Sequence, residues 1–382
     1  MVRRLKILFY IHALAGGGAE RVWSVMASRF AAGGHEVILA VDYDAAQNVS
    51  FVDAAVRVVV LGGNHLQSVW RLRGLLRAER PDIAISALAA ANVKLALAAA
   101  LCGRLDRTIL TYHGYAETEP QRLSQIGFRA AAVLTRITAR TVVVSDGLGT
   151  YLRQRWHASA SRMARIYNPV QVTPGGATTV AALEARPPVI LAAGRFVSYK
   201  NFTGLLEAFA ALPRPDARLI LLGDGPQRAL LAEAVVRLGL EGRVEMPGYV
   251  PEPWRHFDRA RCFVLPSSSE PFGLVLVEAM ARGLDVVATD CHGPREILAD
   301  GLHGALVPCN DPAALTAALA AALRKPSAPE RRIARAQDFD ADTATNHYRD
   351  LFHSVVAERD TRGGWLSRLK PRRFRHPPFQ AG

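Results

Sequence analysis

Short runs of consecutive apolar residues alternate along this chain with stretches whose apolar positions recur every three or four residues. The runs predict buried strands and the recurring stretches amphipathic helices. The first half predicts strands at Leu5–His12, Glu36–Val41, Val56–Leu61, Asp82–Ser86, Arg107–Thr111 and Thr141–Val144. Between them lie helices at Ala19–Ala31, Leu66–Ala78, from Asn92, Ser124–Ile137 and Gly147–Arg155. Between Val172 and Pro188 the composition shifts to Thr, Pro, Gly and Ala, the mark of a linker. The alternation then restarts, with strands at Val189–Ala193, Arg218–Leu222, Cys262–Leu265 and Val286–Ala288. Helices are predicted at Phe202–Ala211, Gln227–Leu238, Phe272–Ala281, Pro312–Leu323 and Ala341–Ala357.

Strand–helix alternation of this kind builds parallel sheets covered by helices on both faces. The expected architecture is α/β, two doubly wound Rossmann-like domains facing a central cleft, with ligand at the strand C-termini. Residues 1–171 form the first domain, 172–187 the linker and 188–340 the second domain. A final helix over 341–358 packs back toward the first domain, and 359–382 is a basic tail.

Two segments imitate membrane signals. Arg3, Arg4 and Lys6 before Ile7–Ile11, with Ala13-Leu14-Ala15 following, resemble a leader peptide. A first strand entering a Gly-rich turn is the favoured reading, because His12 interrupts the short apolar run. The run from Ile83 to Cys102 is long enough to span a bilayer, but Asn92 and Lys94 near its middle argue for a strand followed by a helix.

Composition narrows the partners. Half the residues are apolar and 21% charged, as in globular proteins. Lys and Arg number 47 against 34 Asp and Glu, a net +13. The charge is concentrated: Gln121–Arg165 holds eight Arg and one Asp, and the last 24 residues hold six Arg and one Lys against one Asp. An anionic membrane surface is the expected partner. Nucleic acid is not, since aromatics are not interleaved with the basic residues. The four cysteines have no C-x-x-C spacing, which predicts neither a disulfide framework nor a zinc site.

Candidate chemistry sits in the loops after strands. Gly16-Gly17-Gly18 follows the first strand and opens a helix, so backbone amides there are able to approach a ligand; a plain tight turn fits the same residues. With Asp42 it also keeps an NAD-dependent oxidoreductase in view, although Arg21 stands where a dinucleotide fingerprint needs a third Gly. Asp42-Tyr43-Asp44 matches the D-x-D of metal-dependent sugar transferases, but a solvated strand end is favoured and no metal ligand is assigned.

In the second half, Arg195 and Lys200 flank a loop between strand and helix, suited to phosphate oxygens. Gly223-Asp224-Gly225-Pro226 makes a sharp turn at the next strand end, for a ligand to pass or simply for the chain to reverse. Glu270 and Glu278 lie eight residues apart around a helix start at Pro271-Phe272-Gly273-Leu274, whose free amides suit an anion or sugar hydroxyls. Glu278, in an apolar stretch, needs a donor, which a ribose diol or Arg282 would supply.

Together these residues resemble family 4 of the glycosyltransferases, the large retaining group with the GT-B fold, over nearly the whole chain. The most specific likeness is the E-x7-E element with Ala279-Met280-Ala281-Arg282-Gly283 and Thr289–Ile297. The runs Gly17–Val22, Thr111–Gly114, Val144-Ser145 and Tyr167–Val170 also look like the family. The resemblance implies that Arg195 and Lys200 hold the donor diphosphate and Glu278 the ribose hydroxyls. Glu270 with the backbone of Phe272, Gly273 and Leu274 would face the donor sugar and phosphate. His113 would lie beside the sugar hydroxyls or the reacting carbon, unless it is a core histidine. Gly16–Gly18 would border the donor phosphates and acceptor, and Gly223, Tyr249 and Val250 the rest of the donor, the last two beside the base. Asp285, where Pro is usual, and His292, in place of a small residue or Pro, depart from the pattern.

The expected activity is transfer of a sugar from a UDP- or GDP-linked donor, with retention, to a glycan or lipid-linked acceptor in cell-surface polysaccharide biosynthesis. No cofactor is expected, because the nucleotide sugar is a substrate. The expected place is cytoplasmic, peripheral on the inner face of the cytoplasmic membrane. A nucleotide-sugar epimerase of the same fold is the nearest alternative.

Overall fold

A computed structural model of the chain describes residues 3–15, 17–45, 50–171 and 175–360. It comprises two compact units, residues 1–169 with 341–382, and residues 170–340.

Unit 1 is built on a seven-stranded parallel sheet in the order β3-β2-β1-β4-β5-β6-β7. The strands are β1 (Lys6–Ala13), β2 (Glu36–Tyr43), β3 (Arg57–Val60), β4 (Ile83–Ala87), β5 (Thr108–Tyr112), β6 (Arg140–Val143) and β7 (Met163–Arg165). The helices are α1 (Gly18–Ala32), α2 (His65–Glu79), α3 (Ala89–Ala100), α4 (Arg122–Arg129), α5 (Ala131–Ile137) and α6 (Asp146–Trp156). The Ile7–Ile11 run is 1% exposed or less because β1 is central, pairing with β2 and β4. The run from Ile83 divides into β4 and α3, the helix starting three residues before Asn92 at a turn where Leu88 has φ 77°. Val144-Ser145 proves to be a helix start: Ser145 Oγ accepts the Leu148 amide at 3.1 Å. The single helix expected over Ser124–Ile137 is two, broken at Ala130.

Unit 2 has a six-stranded parallel sheet in the order β10-β9-β8-β11-β12-β13. Its strands are β8 (Val189–Ala193), β9 (Arg218–Leu222), β10 (Val244–Gly248), β11 (Cys262–Leu265), β12 (Asp285–Thr289) and β13 (Ala305–Val307). Its helices are α7 (Val180–Glu184), α8 (Phe202–Ala210), α9 (Arg228–Arg237), α10 (Trp254–Arg259), α11 (Leu274–Ala281), α12 (His292–Ile297), α13 (Pro312–Arg324) and α14 (Pro329–Gln337). Phe196, Phe202, Leu205, Phe209, Leu219, Leu221 and Val264 close the core on one face.

The expected linker at 172–187 is corrected. Residues 172–174 lie outside the described set, and the remainder belongs to unit 2. Thr179 caps α7 and the Ala177 amide donates to Arg282 O at 3.1 Å, so this segment is anchored. The last helix, α15 (Ala341–Asp360), is part of unit 1, where Phe352 meets Phe30 at 5.1 Å between ring centres.

Candidate active site

In a doubly wound sheet the loops diverge where the strand order reverses, and ligands sit at that point. In unit 2 the reversal lies between β8 and β11. The loop after β8 carries Arg195 and Lys200, and the loop after β11 carries Glu270. Lys200 Nζ and a Glu270 carboxylate oxygen are ion-paired across this point. Burial pushes the Lys200 ammonium pKa down, but the Glu270 charge and hydrogen bond outweigh it and leave it raised. Arg195 is exposed. The Ser268 amide donates to Tyr199 O at 2.8 Å, joining the two loops beside the ion pair.

Neighbouring loops are fixed by backbone bonds. Gly194 N donates to Leu222 O and Phe196 N to Asp224 O, both at 2.9 Å. Gly223 has φ +132°, and a Cβ there would stand 2.0 Å from Gly194 O, so the close approach of the β8 and β9 loops requires glycine. Gly223 N donates to Gly248 O at 2.9 Å, leading the chain into Tyr249, which is half-exposed, and Val250.

Helix α11 begins at Leu274, with Gly273 as N-cap and Phe272 buried. Gly293 packs on Phe272 so closely that a Cβ would lie 2.2 Å from its carbonyl oxygen, and Gly293 N donates to Glu270 O at 3.0 Å. These contacts hold Glu270 and the α11 N-terminus together. Glu278 is buried on α11, 3% exposed. Arg282, its candidate partner from sequence, forks onto Asp258, with Nε 2.9 Å from Oδ1. Burial and the Glu270 charge drive the Cys291 thiol up to about 12, so it stays protonated behind the pair.

Unit 1 carries the other predicted residues. Gly16 lies outside the described set; Gly17 and Gly18 open α1 after β1. His113 follows β5 and is buried, with Nε2 3.0 Å from Thr111 Oγ1. Burial pushes its pKa down to about 4, Asn168 countering in part, so the ring is neutral at ordinary pH.

The solvated strand end expected at Asp42 is corrected. Asp42 is 1% exposed and takes Lys94 Nζ at 2.6 Å, Tyr10 OH at 2.9 Å, His12 Nδ1 at 2.6 Å and the Ser68 hydroxyl. Burial raises its pKa, but these donors outweigh it and hold the carboxyl well below the usual range. Its oxygens are committed to the fold. Lys94, noted in the sequence only as a bar to membrane insertion, is the buried cation that answers it. Asp285 has a similar explanation: buried Arg332 on α14 lies 3.1 Å away and Ser327 Oγ donates at 2.9 Å, a partnership that a proline could not make.

On the α4–α5 face Arg122, Arg129 and Arg136 are exposed beside exposed Ile126, Val133 and Ile137. Leu134 is buried, and Arg140 is ion-paired with Glu358 of α15, so neither adds to that exposed face. The tail residues Trp365, Leu366, Leu369 and Phe374 and their basic neighbours lie outside the described residues. Among the described residues no helix is long and apolar enough to cross a membrane.

Comparison with known proteins covers both units. Residues 16–173 match the family described as Glycosyltransferase Family 4, and residues 180–339 match Glycosyl transferases group 1. A lipopolysaccharide core biosynthesis glycosyltransferase, LpsE of Rhizobium meliloti, is 39% identical over 127 residues, 33% of this chain and 37% of that protein. A phosphatidyl-myo-inositol mannosyltransferase of Mycobacterium leprae is 34% identical over 202 residues, 50% of this chain and 52% of its own. The chain thus spans about a third to a half of the length of these curated relatives. The crystal structure of Anabaena HepE in complex with UDP and glucose is similar with a TM-score of 0.79 at 23% identity, covering 92% of this chain and all of that one.

Proposed function

Because the chain belongs to the family 4, group 1 glycosyltransferases, we propose that it moves a sugar from a UDP- or GDP-linked donor to a glycan or lipid-linked acceptor, with retention, in cell-surface polysaccharide biosynthesis. The observation that carries this is the Lys200–Glu270 pair at the strand-order reversal, beside the N-terminus of α11. Cations and free helix amides aimed at one spot stabilise a diphosphate as its charge grows. Lys200 and Arg195 take the diphosphate oxygens with the amides at Phe272–Leu274. Glu278 accepts from the ribose hydroxyls, Glu270 faces the donor sugar, and Tyr249 and Val250 flank the base near Gly223. Gly17 and Gly18 border the phosphates and acceptor, and His113 meets a sugar hydroxyl.

In the reaction the bond from the anomeric carbon to the diphosphate oxygen breaks. The acceptor oxygen bonds to that carbon from the same face, and its proton passes to the leaving phosphate. The protein supplies positive charge and placement, and needs neither a metal nor a separate base. Sugar transfer, followed by product mass across UDP- and GDP-linked donors, is expected to persist in excess EDTA. Activity lost to EDTA and restored by Mn²⁺ or Mg²⁺ would overturn the metal-independent reading.

The acceptor lies at an anionic membrane surface on the cytoplasmic side. The exposed Arg122, Arg129 and Arg136 with Ile126, Val133 and Ile137 support this, each basic residue near such a surface contributing about 1 kcal/mol. So do the names of the relatives, one a glycosyltransferase of lipopolysaccharide core biosynthesis and one a phosphatidyl-myo-inositol mannosyltransferase. Co-sedimentation with anionic vesicles, salt-sensitive and weakened when the chain stops at Glu358, is the expected result. Equal recovery in the supernatant with neutral and anionic vesicles would favour a soluble acceptor.

A further inference from the structure

Two cysteines that stand apart in the sequence meet behind the loop that carries Glu270. β12 and β13 pair in parallel with Thr289 opposite Val307, and the Asp290 amide donates to Val307 O at 2.7 Å. Cys291 and Cys309 each stand two residues beyond that matched pair. Neighbouring strands run about 4.8 Å apart, inside the roughly 4.4–6.8 Å between Cα atoms that a disulfide spans. The sulfurs converge. Cys291 Sγ is 3.7 Å and Cys309 Sγ 3.9 Å from the same carbonyl oxygen, Ser267 O, and Cys291 is a hydrogen-bond partner of the Cys309 thiol. Both are free and half-buried, whereas Cys262 is buried in β11 and Cys102 lies in unit 1.

The two thiols help to hold that loop. Ser267 O also accepts the Thr289 hydroxyl, so three side chains at the ends of β12 and β13 fix one carbonyl three residues before Glu270. The link continues past Cys291, because Gly293 N donates to Glu270 O at 3.0 Å. A disulfide has no S–H. Joining the sulfurs brings them to about 2.05 Å and withdraws both thiol donors, leaving Thr289 alone of the three on Ser267 O.

We propose that Cys291 and Cys309 form a reversible disulfide by exchange with a low-molecular-weight disulfide, and that closing it weakens donor binding at the Lys200–Glu270 pair. The Cys309 thiolate attacks one sulfur of the small disulfide, whose S–S bond breaks and expels a thiolate. Deprotonated Cys291 then attacks the Cys309 sulfur of the mixed disulfide, which forms the Cys291–Cys309 bond and expels the second thiolate. The two protons given up by the cysteines end on those two thiolates, and two electrons pass from the protein to the small disulfide. Cys309 starts the exchange because its contact with Ser268 O is at the surface, whereas burial and the Glu270 charge keep Cys291 protonated. Burial raises both thiols, so the exchange is slow at neutral pH and faster in mild alkali. The disulfide follows from the protein alone, whereas its effect on the donor rests on the glycosyltransferase reading.

The test incubates wild type, Cys291→Ser and Cys309→Ser with oxidised glutathione in mild alkali. Serine keeps an O–H donor for Ser267 O, so both variants should fold as wild type does. In wild type, peptide masses under non-reducing conditions should show Cys291 joined to Cys309, and dithiothreitol should return both thiols. Cys291→Ser should stop at a mixed disulfide on Cys309, and Cys309→Ser should form no internal link. Oxidised wild type should bind UDP or GDP roughly tenfold more weakly than reduced, and saturating nucleotide should oppose the exchange in return. Wild type in which both thiols persist, or in which each carries glutathione without joining the other, overturns the disulfide. An oxidised protein with undiminished nucleotide affinity overturns the coupling. The peptide masses need no donor, so a chain that binds neither nucleotide would defeat the functional reading while the disulfide is still decided.

Discussion

Replacing Lys200 by Met separates what its ion pair does for folding from what it does for chemistry. Lys200 and Glu270 are 15% and 9% exposed in their side chains. Removing one partner of a buried pair costs about 3–5 kcal/mol, because the other charge stays behind without compensation. Residual exposure lets water reach the Glu270 carboxylate, which puts Lys200→Met near the lower end, about 3 kcal/mol. For a unit of this size that is roughly 6–12 °C in melting temperature. The double variant Lys200→Met/Glu270→Gln removes both charges and should recover most of that loss. Turnover should not recover, since the cation facing the leaving diphosphate is absent in both; loss of such a contact costs about 10²–10³ in kcat. Calorimetric melting and steady-state sugar transfer, run on wild type, both single variants and the double, give the two readings. Alkaline pH supplies a further check. Because Glu270 raises the Lys200 pKa, the pair's stabilisation is fully present below the unfolded lysine value of about 10.4 and is lost as pH rises through the folded one. In Glu270→Gln burial acts on the ammonium without its counter-charge, so that alkaline loss should disappear. Lys200→Met with near-normal turnover, or a double variant whose turnover returns with its stability, would refute the assignment of Lys200 to the diphosphate.

Glu278→Gln should weaken binding of UDP or GDP by roughly 10–100-fold, from charged hydrogen bonds of about 1.5–3 kcal/mol, with kcat at saturating donor changed little. Calorimetric titration decides this, and unchanged affinity would remove the ribose role. Lys94→Met should cost about 3–5 kcal/mol in denaturant unfolding because Asp42 is left charged and buried; a loss below 1 kcal/mol would contradict that account. Asp42 has a depressed pKa, so its stabilisation is present above about pH 3.9 and is lost as pH falls further, and Asp42→Asn should flatten that acid limb. Gly223→Ala places a Cβ 2.0 Å from Gly194 O and should abolish the rise in melting temperature that a nucleoside diphosphate gives the wild type; an undiminished rise would show that the two loops are able to separate.

The alternation of apolar runs and amphipathic stretches determined both sheets and most of their helices. Strands buried on both faces, such as β8, β9 and β11, read directly from sequence because every residue in them is apolar or nearly so. Of the edge strands, β3 was legible and β7, β10 and β13 were not. β10 alternates between half-buried and exposed along Val244-Glu245-Met246-Pro247, and β7 and β13 are three residues each, so none leaves a run to detect. Short helices such as α10 and α12, of six residues, are too brief to establish a period. The roles proposed for Arg195, Lys200, Glu270 and Glu278 came from family likeness added to loop position. Their local pattern gave only cations and carboxylates near strand ends.

Pairings were the part that sequence left open. Lys200 and Glu270 lie 70 residues apart and meet because β8 and β11 are neighbours while β9 and β10 turn away. Asp42 and Lys94, 52 residues apart, meet through the packing of α3 against the sheet. Thr111 Oγ1, 3.0 Å from the His113 ring, donates to Ser86 O on the adjacent strand at 2.7 Å. Periodicity records which side of an element is buried. Which charge or hydroxyl faces another across the sheet depends on strand order, and that order is decided by the tertiary fold.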